Sequence, residues 1–387
     1  MKYRRFGRLE WESSALGIGT MRLPGMAEGG GPRAIDESQA VRMIRAGIER
    51  GVNYVDLGFP WDMGRHESIV RVVGKALQGG YREKVKIAFT IPASLVSRPD
   101  DFDLHLEKQL SWLGCDRVDF CLLGRLTRDN WPLLEKMGVL DRVEDAQADG
   151  RVDYAGFSFH DHYQVLKSIM HAYDRWVLCS VEYSFMDVNH DPGANGIRYA
   201  AEQGLAVVAT RPFKGGRLTK EPPEEVRQTW ARSPREWSRA EWALRFVLNH
   251  GGVSVAVCDM SSMPQLAENL EVADTAEPGS LSIPDEVTIS NVRDVFRKRQ
   301  QVPCPSCRPC MPCPAGIDVP RFFEIYNDAA MYEDVDTARS LCADERIYPE
   351  DCTECGICES RCAKRLPIVD WLTCVRDFLD PPADRGD

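Results

Sequence analysis

The chain has 387 residues, 28% of them charged and 43% hydrophobic, with a formal net charge of −11 and a pI near 5.3. That acidity argues against a nucleic-acid binder, which needs a basic face to neutralise phosphates. No apolar run reaches the roughly 18 residues of a membrane span, and the start "MKYRRFGRLEWESSALGIG" has no apolar stretch of signal-peptide length after Arg4 and Arg5, so no membrane is expected as a partner and the cytoplasm is the expected compartment.

Eight short apolar runs follow in order: "ALGIGTM", "NYVDLG", "VKIAFT", "VDFCLLG", "YAGFSFH", "LCSVEYS", "AVVATRPF" and "VSVAVCDM". Runs this apolar suit strands buried on both faces, as parallel strands are. Between them lie amphipathic stretches such as "ESQAVRMIRAGIERG", with Val41, Ile44 and Ile48 at helical spacing, "ESIVRVVGKAL", and "HLEKQLSWLG" closed by Gly114. The alternation predicts an α/β fold, a closed (β/α)8 TIM barrel over residues 1–296, with an open doubly wound sheet as the alternative. In a barrel the chemistry sits at the C-terminal ends of the strands, so Asp56, Thr90, Gly124, His160 and Arg211 are expected at one mouth. The "EGGGP" stretch at 28–32 reads as a connecting loop.

From residue 297 the composition changes. "RKRQQVPCPSCRPCMPCPAGIDVP" is rich in proline and cysteine, and "RFFEIYNDAAMY", "DVDTARSLC" and "IVDWLTCVRDFL" read as short helices, so residues 297–387 are expected to form a small α-helical ferredoxin-like domain. Of fourteen cysteines, Cys115, Cys121, Cys179 and Cys258 are scattered singly through apolar segments and read as core residues, as do Cys342 and Cys374 in the tail. The other eight form two runs, Cys304, Cys307, Cys310, Cys313 and Cys352, Cys355, Cys358, Cys362. Three thiolates spaced by three residues can hold three corners of one [4Fe-4S] cubane, and in two-cluster ferredoxins the fourth cysteine of each run ligates the other cluster. The assignment is therefore Cys304, Cys307 and Cys310 with Cys362, and Cys352, Cys355 and Cys358 with Cys313. Zinc also takes four thiolates, but its sites pair two halves of two cysteines each. Arg308, Arg361, Lys364 and Arg365 lie beside these cysteines, where positive charge would favour the reduced clusters.

The barrel segments "GVNYVDLG", "VGKALQGGYREKV", "VDFCLLG", "GVLDRVEDAQADGRVDYAGFSFHD", "RPFKGGRL" and "MSSMPQLAENL" resemble the aldo-keto reductases, and the tail stretches "CMPCPAGIDVPRFFEIYND" and "CTECGICESRC" resemble the branch with a C-terminal ferredoxin-like domain. The resemblance implies carbonyl reduction by a nicotinamide hydride. In that family a tyrosine gives the proton, a lysine and a histidine tune its acidity, and an aspartate holds the lysine. Asp56 matches the aspartate, but Trp61 stands at the tyrosine position, Thr90 at the lysine and Gly124 at the histidine. An indole N–H donates a hydrogen bond without being a useful acid. Without its lysine, Asp56 is expected to gain a proton or to find another cation, Arg125 or Arg211. His160 is a further acid–base candidate. Loss of the lysine and histidine is expected to enlarge the pocket, with Trp61 as a stacking wall for an anionic or aromatic ligand.

For the nucleotide site the resemblance carries over Ser158 to the nicotinamide amide, and Gly215, Gly216, Gln265 and Asn269 to the pyrophosphate and adenosine. Ser180, Thr210 and Asp259 depart from the family pattern, and Asp259 would compete with a phosphate at the following helix N-terminus, so NADP(H) affinity is expected to be reduced. The leading reading is an iron–sulfur oxidoreductase acting on a small molecule. Because a hydride carries two electrons and a cubane one, a flavin or a redox partner protein is then needed. The alternatives are a non-catalytic electron-relay or scaffold subunit, and an NADPH-dependent carbonyl reductase with displaced catalytic residues.

Overall fold

A computed structural model describes residues 1–25, 34–59, 63–189 and 192–379. The chain divides into two compact units: residues 1–25, 34–219 and 235–286 in their described parts, and residues 220–234 and 287–379. The composition change read at residue 297 lies inside the helix Ile283–Lys298.

The first unit begins with a hairpin of β1 (Tyr3–Arg5) and β2 (Glu12–Ser14), antiparallel with Tyr3 opposite Ser14. Eight parallel strands then close into a barrel: β3 (Leu16–Gly19), β4 (Tyr54–Asp56), β5 (Lys86–Pro92), β6 (Val118–Leu126), β7 (Val152–Phe159), β8 (Leu178–Glu182), β9 (Ala206–Thr210) and β10 (Val255–Asp259), which returns to pair with β3. Each of the eight apolar runs overlaps one of these strands, though β5 and β6 run two residues past theirs and β7 begins two residues before its own, and the open-sheet alternative is set aside by the closure.

Helices cover the barrel as their apolar stripes dictate. In Glu37–Glu49, capped by the Asp36 carboxylate accepting from the Gln39 N–H, the buried stripe is Ala40, Met43, Ile44, Gly47 and Ile48. Val41, expected on that stripe, is only partly buried. The helix Pro99–Leu113 ends at Gly114, whose φ of 72° is the left-handed conformation that stops a helix.

Inward side chains alternate along each strand. At the N-terminal ends they are apolar: Tyr54, Phe120, Tyr154, Leu178 and Val255, with Phe6 of the hairpin loop fully buried among them. Its ring lies 5.1 Å from Phe120 and 5.8 Å from Tyr54. Burying such a ring contributes about 1.5–3 kcal/mol, so the hairpin seals one end and leaves the other for chemistry. Cys121, Cys179 and Cys258 are buried and Cys115 is half-buried, as core thiols.

The second unit has its own core around Phe322, Phe323, Ile325, Leu372 and Val375, from the helices Val319–Tyr332 and Ile368–Leu379. A third helix, Val335–Glu345, is capped by Asp334. Cys342 packs half-buried against this core, whereas Cys374 is exposed, which corrects its reading as a core residue: it falls on the outer face of its helix. Among the described residues no helix is long and apolar enough to cross a membrane.

Candidate functional site

The C-terminal ends of the strands carry Gly19, Asp56, Thr90, Gly124, Ser158, Glu182, Thr210 and Asp259 in one ring. Asp56, Thr90, Gly124, His160 and Arg211 are thus brought to one mouth, as their positions in the sequence lead one to expect. Trp61 lies outside the described residues.

Asp56 is buried, 7% exposed, and accepts from the Gly58 N–H at 2.7 Å. Register places it beside Gly19, and Asp259 on the other side of the same glycine. A Cβ at Gly19 would collide with the Asp259 carboxylate, so only glycine fits between the two acids. The Tyr54 hydroxyl lies near Asp56 outside hydrogen-bond geometry. Burial, and then the charge of Asp259, push the Asp56 carboxyl up to about 7 against the single lowering hydrogen bond from Gly58 and the influence of Tyr54. Burial also raises Asp259, which Arg22 and Arg211 partly offset.

Of the two cations expected near Asp56, neither is its hydrogen-bond or ion-pair partner, and the raised carboxyl favours uptake of a proton as the pH falls below about 7. Arg211 instead donates to Glu182 Oε1 at 2.8 Å, and His160 Nε2 lies 3.3 Å from the same oxygen. Burial alone would raise Glu182, but Arg211, His160 and Lys214 outweigh it and hold the carboxyl well below its usual range. The other expected cation, Arg125, is exposed, and its backbone N–H donates to Ser158 Oγ at 2.7 Å. The Nδ1 of His160 is buried and has no hydrogen-bond partner among the described residues.

The space beside Gly124 is limited by Thr90. A Cβ there would collide with Thr90 Cγ2 and lie 3.1 Å from Pro92 Cα, so the Thr90 methyl already occupies the space. Thr90 is fixed from behind: its carbonyl accepts from Gln109 Nε2 at 3.2 Å, and Gln109 Oε1 meets the fully buried His66 at 3.0 Å.

Gly215 and Gly216 follow β9 with φ of 66° and 91°, and a Cβ at either would come within 3.3–3.5 Å of the Arg22 or Arg211 guanidinium. Gln265 and Asn269 sit on the helix Met263–Thr275; Asn269 is buried, and Gln265 Oε1 accepts from the Ser261 N–H at 2.8 Å. Asp259 does not stand over that helix: its Oδ1 accepts from the Met21 N–H at 2.9 Å, because the strand end points it to the first βα loop. Sequence reasoning missed Glu182, although it carries the signal that singled out Asp56, a carboxylate closing an apolar strand. It also missed His66 and Gln109, which carry no local signal.

In the second unit Cys304, Cys307 and Cys310 line one pocket together with Cys362, with Phe323, Leu366 and Ile368 as apolar wall. After burial and a bond from Ser306, the thiols of Cys307 and Cys362 act on Cys304, and Cys313 acts on Cys358. Cys358 acts in turn on Cys310, so the two runs lie close together. The loops carry left-handed residues, Ser306, Arg308, Glu354 and Gly356. Among the described residues no group of three or more His, Cys, Asp or Glu side chains stands close enough to hold a metal ion. Arg308 pairs with Asp318 at 2.9 Å, which offsets its charge.

Residues 15–278 match the Aldo/keto reductase family. The chain is 22% identical over 310 residues to an uncharacterized oxidoreductase, YqkF, of Bacillus subtilis, covering 70% of this chain and 91% of that protein. It is 29% identical over 196 residues to aflatoxin B1 aldehyde reductase member 2 of Rattus norvegicus, covering 48% of this chain and 51% of the relative. Among solved structures, the holo form of aldo-keto reductase AKR11C1 from Bacillus halodurans superposes with a TM-score of 0.61 at 23% identity, covering 76% of this chain and 96% of that one. An aldo-keto reductase from Klebsiella pneumoniae in complex with NADPH gives 0.59 at 20% identity, covering 76% and 95%. At such identities the superpositions establish the shared barrel.

Proposed function

The chain belongs to the Aldo/keto reductase family, and we propose that it is an iron–sulfur oxidoreductase whose barrel mouth binds a small-molecule substrate without the usual tyrosine, lysine and histidine. The observation that carries this reading is the pocket lined by three cysteines of the first run and the last cysteine of the second. Cys304, Cys307, Cys310 and Cys362 would hold one [4Fe-4S] cluster, and Cys352, Cys355, Cys358 and Cys313 the other. Bound clusters would supply one-electron transfer. The protein's own contribution lies at the mouth, where Asp56, its carboxyl pushed up to about 7 by burial, can take up and release a proton and the Glu182–Arg211 pair with His160 supplies a fixed charge and an unpartnered ring nitrogen. Ser158, Gly215, Gly216, Gln265 and Asn269 are the residues for NADP(H), and a flavin could serve instead as the two-electron partner. Fourteen cysteines with no disulfide among them suit a reducing compartment such as the cytoplasm.

The test is anaerobic reconstitution followed by iron and acid-labile sulfide analysis. Two cubanes require about eight of each per chain, and Cys362→Ser should lower both toward about four. Stoichiometric zinc without sulfide would overturn the reading. A second reading, a relay or scaffold subunit, is favoured by the Thr90 methyl that fills the space beside Gly124. Purified holoprotein whose cluster spectrum no carbonyl panel or NADPH alters would support it. Steady NADPH oxidation by simple aldehydes would support instead a carbonyl reductase with displaced residues.

A further inference from the structure

The turn that carries Cys362 is a basic exposed stretch of the second unit. Arg361, Lys364 and Arg365 are all exposed, and among the described residues none of the three has a carboxylate within ion-pair distance. Five arginines of the unit are paired, Arg299 with Glu225 and Glu333, Arg308 with Asp318, Arg321 with Glu324 and Glu345, Arg339 with Asp336 and Arg376 with Asp377, whereas Arg232, Lys298 and Arg346, each away from the cysteine runs in the chain, share the lack of a carboxylate partner. The acids nearest along the chain do not neutralise the stretch, since Glu359 accepts from the Val369 N–H at 2.9 Å and Asp370 opens the next helix.

The same turn wraps the sulfur that closes the pocket. The Arg365 N–H donates to the Cys362 carbonyl at 2.9 Å and the Leu366 N–H donates to Cys362 Sγ at 3.4 Å. The other run presents the opposite sign: exposed Glu350, Asp351 and Glu354 surround Cys352 and Cys355. One cysteine pocket therefore reaches the surface under a cationic rim and the other cysteine run under an anionic one, in a chain whose net charge is −11.

We propose that the rim formed by Arg361, Lys364 and Arg365 is the docking surface for a small acidic one-electron carrier protein of the ferredoxin class. Unpaired surface cations beside a redox pocket steer an anionic partner and fix its orientation, raising the association rate more than the affinity. In each encounter the reduced carrier is oxidised by one electron and the chain is reduced by one, with no bond made or broken. Two encounters match the two electrons of one substrate reduction. The proposal rests on the iron–sulfur reading, and the test separates the two.

Reconstituted full-length holoprotein is mixed in stopped flow with a reduced plant-type ferredoxin of net negative charge, and in parallel is reduced by a photogenerated neutral deazaflavin radical. The variants are Arg361→Gln, Lys364→Gln and Arg365→Gln singly, and the three combined as charge reversals to Glu. Wild type should react with ferredoxin about 10- to 100-fold faster than the triple reversal at low ionic strength, and the two rates should converge in high salt. The single variants should fall between, and the small reductant should treat all alike. A salt-independent rate, equal rates for wild type and the triple variant, or reduction by deazaflavin but never by ferredoxin would overturn the docking surface and leave the clusters standing. Protein without bound iron would overturn both.

Discussion

Asp56→Asn tests whether the mouth holds a neutral acid. A carboxyl moved from its ordinary 3.8 to about 7 in the folded chain prefers the protonated form there, and at 1.36 kcal/mol per pH unit the span amounts to about 4 kcal/mol. The sign follows from proton counting. Between about pH 4 and pH 7 the folded state keeps a proton that the unfolded state has lost, so stability falls as pH rises, and the contribution is complete below about pH 4 and gone above about pH 7. Asparagine keeps an oxygen for the Gly58 N–H and removes the titration. It also relieves Asp259 of a like charge, which trims the difference, so the wild type should lose about 2–4 kcal/mol relative to the variant across this window. Urea transitions followed by the buried Trp176 and Trp242 of the barrel, at half-unit pH steps, measure it, and subtracting the variant cancels groups common to both. A flat difference would refute the reasoning, and a difference that grows in favour of the wild type with pH would mean that a cation holds Asp56 ionised.

Gly124→Ala should cost about 1–3 kcal/mol through collision with the Thr90 methyl, and Thr90→Ser in the same chain should recover at least half; additive losses in the double-mutant cycle would deny the contact. Arg211→Met removes the cation that most lowers Glu182. Since a depressed carboxyl contributes stability above its ordinary range and loses it as the pH falls, the gap between wild type and variant should widen from pH 4 to pH 7; urea midpoints that keep the same gap at both would count against it. Anaerobic iron chelation should expose the second unit, whose core includes Cys310 and Cys358, so limited proteolysis followed by mass spectrometry should find cuts within residues 287–379 before the barrel is cut; equal resistance with and without iron would remove the metal from the account of that core.

The barrel was legible because each strand is an apolar run buried on both faces, and nothing in such a run needs distant partners to be recognised. The β1–β2 hairpin was not, since its strands are three residues each and its value lies in where Phe6 lands. At the mouth, strand position placed Asp56, Thr90 and Gly124 correctly. What they touch was not readable: the Thr90 methyl beside Gly124 and the His66–Gln109 prop join residues separated by tens of positions. Arg211 illustrates the same limit. Its place at the end of β9 was clear, but its choice of Glu182 over Asp56 depends on which strands are neighbours in the closed ring.

That ring also decides how charge is arranged. In the order β10, β3, β4, β5, β6, β7, β8, β9, strand β4 stands four places from β8, so Asp56 and Glu182 face each other across the mouth. On one side two buried carboxyls flank Gly19, both pushed up by burial; on the other Arg211, with His160 beside it, holds a carboxyl well below its usual range. Two acids in environments that push their proton affinities apart are how one site offers a proton donor and a fixed charge at the same pH. The lysine that would have joined the sides is replaced by Thr90, and the cation has moved to β8 and β9. A ligand spanning the mouth would therefore meet a neutral donor at one end and the His160 ring at the other, a polarity that selects its orientation before any electron moves.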